Sequence, residues 1–338
     1  MQAAMYVTRI EDRFGNFVTY HYNAASPRQL LSIVASDGRK VSFTWNGLLL
    51  TSAIAQPDTP ADARTWRYEY ANGKLASVVL PDASRWTFAL ARTGAGTLPD
   101  MFASSCLKRY NANAPASDAE VSTITAPSGL VGTFTMRHRW HARSYANSSC
   151  VSMPANGGTY EANPPLFENL SLVQRTLSGP GVPTQAWTYA YGPASASTIN
   201  DPCKATQTCV DTSWVDVTEP DGARTRVTHS TRDGEMEGKL IKSEGFDAGG
   251  ALLRTQTHQY PALASLPFQA KLGEALGRDR SNVTKMENRY PSTGSVITQQ
   301  GRSFRWYVPQ TCGASANQLC FDAFGRATKT TKLSQPAP

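Results

Sequence analysis

The feature that most constrains this chain is a turn that keeps returning. Ala35-Ser36-Asp37-Gly38-Arg39 separates an apolar stretch from the alternating run Val41-Ser42-Phe43-Thr44-Trp45. Asp-Gly between two such runs is the strongest short-range hairpin signal, because glycine accepts a positive φ and aspartate tolerates it. The same order recurs at Leu80-Pro81-Asp82-Ala83-Ser84 before Trp86-Thr87-Phe88, at Ala126-Pro127-Ser128-Gly129 before Val131, and at Glu219-Pro220-Asp221-Gly222-Ala223 before Arg224-Thr225-Arg226-Val227. Asp37 to Asp82 spans 45 residues and Asp82 to Ser128 spans 46. A near-constant recurrence marks stacked supersecondary units, each burying its apolar face against the next.

A second element alternates with the first: an aromatic strand ending in Tyr-x-Tyr, at Tyr20-His21-Tyr22, Tyr68-Glu69-Tyr70 and Tyr189-Ala190-Tyr191. Strand periodicity puts both tyrosines on one face, where they serve as sheet core and cross-strand partners, with a sugar-stacking surface as the alternative. Further turns are expected at Asp12-Arg13-Phe14-Gly15-Asn16, Phe246-Asp247-Ala248-Gly249-Gly250 and Phe321-Asp322-Ala323-Phe324-Gly325-Arg326. With 25 Gly and 21 Pro in 338 residues and 40% hydrophobic residues, the chain has enough apolar matter for a core but too many breakers for a helical bundle. The fold class expected is all-β: repeated antiparallel hairpins forming a long curved or spiralling sheet. The organisation expected is repeats over 1–95, an irregular insertion over 96–165 around a hairpin at 124–143, and repeats over 166–338 with stapled loops.

The residues offer little chemistry. The net charge of +7 is spread along the chain, and the densest basic patch, Arg137, His138, Arg139, His141 and Arg143, reads as a solvated strand face. Specific nucleic-acid binding is not expected from it. His21, His138, His141, His229 and His258 stand apart, and His138 and His141 point to opposite strand faces, which disfavours a shared metal. Glu235 and Glu237 share a strand face in this reading and are the one acid pair that a glycosidase could use. Asp12, Asp37, Asp82, Asp221, Asp247 and Asp322 lie in turns, where a carboxylate caps backbone N–H groups. No catalytic, cofactor or metal residue is assigned. Asn147-Ser148-Ser149, Asn169-Leu170-Ser171 and Asn282-Val283-Thr284 match the glycosylation acceptor pattern and carry no assigned function.

Six cysteines fall at 106, 150, 203, 209, 312 and 320. Cys203 with Cys209 and Cys312 with Cys320 form close pairs in polar loops, which leaves Cys106 and Cys150 as a third pair or as buried thiols. Zinc is the rival reading, but neither spacing matches its usual ligand pairs. An even count favours an oxidising compartment. The N-terminus lacks a basic start and a sustained apolar stretch, so no signal peptide is visible, and no run is long enough for a membrane span. Secretion, the periplasm or the cell surface is expected, with the chain as a piece of a larger exported polypeptide.

The units resemble the RHS, or YD-repeat, family. The carrying stretches are Asp12–Asn16, Ala35–Arg39, Tyr68–Leu75 with Leu80–Ser84, Thr218–Thr225 and Phe321–Arg326. The match covers residues 5–90 and 215–330 and is patchy between. The resemblance implies a β-sheet ribbon that spirals into a hollow shell around a toxin, or a large extracellular scaffold. The family's self-cleaving aspartate segment has no match near the C-terminus, and no toxin domain follows Pro338. The expected function is therefore a non-catalytic scaffold, part of a shell around cargo. A glycan or surface-ligand module is the alternative and a polysaccharide hydrolase a further one. Partners expected are further repeats, a toxin cargo or a surface glycan.

Overall fold

The computed structural model describes residues 6–91, 119–147, 149–152, 159–162, 164–261, 266–268, 290–312 and 318–336. Their regular secondary structure is almost entirely strand, with one short helix. In chain order they are β1 (Arg9–Glu11), β2 (Phe17–Asn23), β3 (Ser26–Ala35), β4 (Lys40–Asn46), β5 (Leu49–Ala55), β6 (Arg64–Ala71), β7 (Lys74–Val79), β8 (Arg85–Ala89), β9 (Glu120–Thr125), β10 (Val131–Ala142) and β11 (Ser149–Ser152). They continue with β12 (Thr159–Ala162), β13 (Leu166–Gly179), β14 (Val182–Tyr191), the short helix α1 (Pro202–Ala205), β15 (Thr212–Thr218), β16 (Arg224–Ser230), β17 (Leu240–Phe246), β18 (Leu252–Gln259), β19 (Gly294–Gln299), β20 (Arg302–Tyr307) and β21 (Thr331–Pro336).

Contacts divide the chain into two compact units. One holds residues 1–93, 120–134 and 176–185; the other holds 94–119, 135–175 and 186–338. In the first, β1 to β9 pair antiparallel, each with the next. In the second, β14 pairs with β15, and β15 to β21 continue the same way. Antiparallel hairpins are thus the observed fold, as the alternating runs implied.

One turn geometry explains the recurrence. Seven five-residue turns begin at Asp12, Ala35, Leu80, Ala126, Glu219, Asp247 and Asp322; in each, the first N–H donates to the fifth carbonyl and the fourth N–H to the first carbonyl. The fourth residue must then take a left-handed conformation, and φ there runs from +65° to +88°. Six of the seven slots hold glycine; the other holds Ala83, at φ +65°. The acidic residue serves in two ways. Asp37, Asp82 and Asp221 accept the N–H two residues on, from Arg39, Ser84 and Ala223. Asp12, Asp247 and Asp322 open the turn and accept the N–H four residues on. These bonds, with the side chain of Asn16 or of Arg326, hold Asp12 and Asp322 below the usual carboxylate range. Because a Cβ in that slot costs about 1–2 kcal/mol, Ala83→Gly is expected to stabilise the first unit by roughly 0.5–1 kcal/mol net of glycine's entropy, read from urea unfolding.

The aromatic strand ends have a second device. The Tyr22 hydroxyl donates to the Val7 carbonyl at 3.0 Å, Trp45 Nε1 to Leu30 at 2.8 Å, Tyr70 to Leu50 at 2.9 Å, Tyr191 to Leu172 at 2.7 Å and Tyr260 to Leu240 at 3.0 Å. Each reaches back to an earlier stretch of chain, in four of the five to a strand already laid down. In the first unit the bonds interlock. Tyr22 pairs across the strand with Leu30, whose carbonyl takes Trp45; Trp45 pairs with Leu50, whose carbonyl takes Tyr70. A register shift sits next to Tyr22, Trp45 and Tyr70, and such a bulge re-aims a side chain. The tyrosines are half-buried strand locks rather than a fully enclosed core. Tyr70→Phe is expected to lose about 1 kcal/mol of unfolding free energy, and more than Tyr68→Phe, in the same urea assay.

Deep burial is sparse. In the first unit Ala53, Ser77 and Ser122 are the buried positions among the described residues, small side chains where strands crowd. In the second, Phe268, Val308, Leu319, Cys320 and Phe321 form one apolar cluster with Leu266 and Trp306 against it.

Candidate functional site

Polar side chains converge in the second unit around the end of β10. Alternation along that strand puts Arg139, His141 and Arg143 on one side, and His138 on the other. His141 Nε2 lies 2.8 Å from Ser171 Oγ on β13, its ring stacks on Phe167 at 5.6 Å and meets the edge of Tyr191 at 6.2 Å. Burial, helped by the Arg139 charge, holds the imidazole below its ordinary value. Arg143 lies over the Phe167 ring at 4.4 Å, donates from Nε to Glu237 Oε1 at 2.6 Å and from Nη1 to the Pro164 carbonyl at 2.9 Å.

Just past this row the chain threads between two loops. Ser144 N–H donates to the Thr231 carbonyl, Ala146 N–H to Ser197, and Asp233 N–H back to Ser144. Ser144 and Ala146 are fully enclosed, at 0% exposure. Tyr145, between them, has φ +56°, a conformation that costs a bulky residue energy and persists only where neighbours impose it. Its N–H donates to Ser197 Oγ, and Arg232 covers its ring at 4.3 Å. Arg232 also reaches Gln207 and Asp211, beside the Cys203–Cys209 disulfide.

The residues singled out from sequence are dispersed. His21 is exposed on β2, His229 lies on β16 and His258 on β18. Burial lowers the last two below the usual histidine value. Among the described residues no group of three His, Cys, Asp or Glu is placed to hold a metal ion. Glu235 and Glu237 lie in a turn, not on a strand face, and the Glu237 carboxylate is engaged with Arg143. The glycosidase arrangement read from alternation does not form. Cys203–Cys209 and Cys312–Cys320 are disulfides, each with 4.9 Å between Cα atoms. The pair of Cys106 with Cys150 lies outside the residues whose side chains are described. Among the described residues no helix is long and apolar enough to cross a membrane.

Ser171 is 7% exposed, and the partners that its hydroxyl and His141 show are each other, the Asn169 carbonyl and aromatic rings. Sequence reasoning found the basic strand but missed its partners, because Ser171 lies 30 residues on and Glu237 94 residues on.

No family model and no curated protein matches the chain. Among solved structures it is similar to a crystal structure of TcdB2-TccC3-Cdc42, at 9% identity and a TM-score of 0.12, over 88% of this chain and 18% of that one. The chain thus spans less than a fifth of that protein's length, and a likeness at this level defines neither a family nor an activity.

Proposed function

We propose that this chain is a non-catalytic repeat scaffold of the RHS type that works outside the reducing cytoplasm and engages cargo or neighbouring repeats. The observation that carries the reading is the double recurrence: one turn geometry at seven places, and one aromatic lock at five. Such repetition supplies a surface of defined spacing, not a reaction centre. Two disulfides fit an oxidising compartment. Among the described residues β1 pairs with β2 alone and β21 with β20 alone, and strands of the same kind fit those edges. Size-exclusion chromatography with light scattering tests it. Association through strand edges is expected; a sharply monomeric chain of high stability that takes up no repeat-bearing partner counts against it. The glycan reading loses the tyrosine hydroxyls of Tyr22, Tyr70 and Tyr191 to backbone carbonyls.

A further inference from the structure

Stacked arginines in this chain usually carry a second partner. Arg9, Arg143, Arg224, Arg226, Arg232 and Arg326 each lie over an aromatic ring and also pair with a carboxylate. Arg13, Arg305, Arg139 and Arg175 are stacked without a carboxylate partner among the described residues, and the last two, both in the second unit, are set apart by a buried Nε. Arg139 lies 5.1 Å from the centre of the Tyr191 ring, and Arg175 lies 3.9 Å from that of Trp187. Neither pairs with a carboxylate among the described residues, and the Nε of each is withdrawn from solvent without a hydrogen-bond acceptor. A guanidinium with a buried, unanswered donor is costly and calls for an acceptor.

The spacing says what kind. Trp187 and Tyr191 are four residues apart on β14, so they share a face and stand about 13 Å apart along it. Carboxylates at i and i+4 of an extended segment are separated by the same about 13 Å. The row even holds one example of the occupant: Glu237, a carboxylate from a distant turn, is seated on Arg143 while Arg143 covers Phe167. The rings of Tyr191 and Trp187 already carry guanidiniums, so what they leave for a partner is charge at fixed spacing rather than an open ring for a sugar.

We infer that Arg139 and Arg175 form a docking row for an extended acidic polypeptide segment with carboxylates four residues apart. This deepens the scaffold reading by naming the chemistry of what the scaffold holds.

A fluorescein-labelled peptide with a Glu-Thr-Val-Thr-Glu centre, titrated against the full chain at low salt and followed by anisotropy, tests it. Saturable binding is expected, weakened about tenfold by Arg139→Gln or Arg175→Gln, as fits a charge-assisted contact, and weakened by added salt. Arg28→Gln, an exposed charge on β3, should leave it unchanged. Arg139→Lys and Arg175→Lys keep the charge and check that any loss in the Gln variants is not loss of fold, with thermal melts alongside. Four results overturn the inference: no binding by the wild-type chain, equal binding of a Gln-Thr-Val-Thr-Gln peptide, equal loss on Arg28→Gln, or tighter binding of a uronate oligosaccharide. None of these alters the light-scattering result, so the docking row and the scaffold reading fail separately.

Discussion

Asp216→Ala is expected to cost the second unit about 3 kcal/mol of unfolding free energy, more than any other single side-chain removal in its strands. Asp216, on β15, is 8% exposed and accepts three hydrogen bonds: from Arg226 Nε at 2.7 Å, Arg226 Nη2 at 2.8 Å and Arg224 Nη1 at 2.8 Å. The same guanidiniums lie 4.1 Å over Trp214 and 4.0 Å over Phe246, so one carboxylate holds two arginines flat on two rings. Removing it strands two charges. Their side chains remain 29% and 32% exposed, which is why the estimate sits at the low end for a buried pair. Replacing the whole group, Asp216→Val with Arg224→Thr and Arg226→Val, should recover most of the loss, because no charge is then left unanswered. If the triple variant is as unstable as Asp216→Ala, packing rather than charge explains the site.

The same carboxylate sets part of the acid limb of stability. Bonds from Arg226, then from Arg224, hold the Asp216 carboxyl below its ordinary 3.8, so the folded chain keeps it ionised where the unfolded chain has begun to protonate. Its contribution is complete above the unfolded value and is lost as pH falls through the lowered one. His141, His229 and His258 act earlier. Burial lowers each below 6.5, so the unfolded chain binds more protons once pH drops to that region, and stability declines with it. Urea midpoints should fall in two stages on acidification, first below about pH 6.5 and then below about pH 4. Asp216→Ala should make the second stage shallower without abolishing it, since Asp12 and Asp322 are held low as well, and should leave the first.

What the sequence carried was local. Asp37-Gly38, Asp221-Gly222 and the Asp-x-x-Gly runs announced hairpins because a five-residue turn is decided by residues that touch within it. Even Ala83 was placed in the right slot by its neighbours Pro81 and Asp82, against its own preference for negative φ. The cysteine pairs at 203/209 and 312/320 were legible for the same reason. What escaped was non-local. The Tyr-x-Tyr ends were visible, but that the second aromatic reaches a carbonyl 15 to 20 residues earlier follows from strand stacking and bulges, which leave no signature at the tyrosine itself. One local signal accompanies the lock: Trp45 and Tyr70 each precede a glycine turn and the leucine that pairs across from them, Leu50 and Leu75. Glu237 failed as a strand residue because Asp233-Gly234 and Gly238 bend the segment into turns, and its partner Arg143 is set by the thread at Tyr145.

Breaking Cys312–Cys320 should then hurt more than breaking Cys203–Cys209, although the two loops are of similar length. Closing loops of 8 and 6 residues constrains the unfolded chain by nearly the same amount, about 2–2.5 kcal/mol in the chain-entropy account. The difference lies in what each sulfur packs against. Cys320 is 0% exposed inside the cluster of Phe268, Val308, Leu319 and Phe321, and its backbone bonds Pro309 and Thr328. Cys209 is buried too, at 9% exposure, and Cys203 is half-buried on the short helix α1, but among the described residues neither joins an apolar cluster. Cys312→Ala with Cys320→Ala should therefore lose about 3–4 kcal/mol, the staple plus a small cavity, against about 2 kcal/mol for Cys203→Ala with Cys209→Ala. Urea unfolding of the two double variants measures the gap. Hydrogen exchange should show where it falls: faster exchange at Val308, Cys320 and Thr328 in the first variant and no change there in the second. Equal losses would mean that the sulfur of Cys320 adds nothing to the cluster beyond closing its loop.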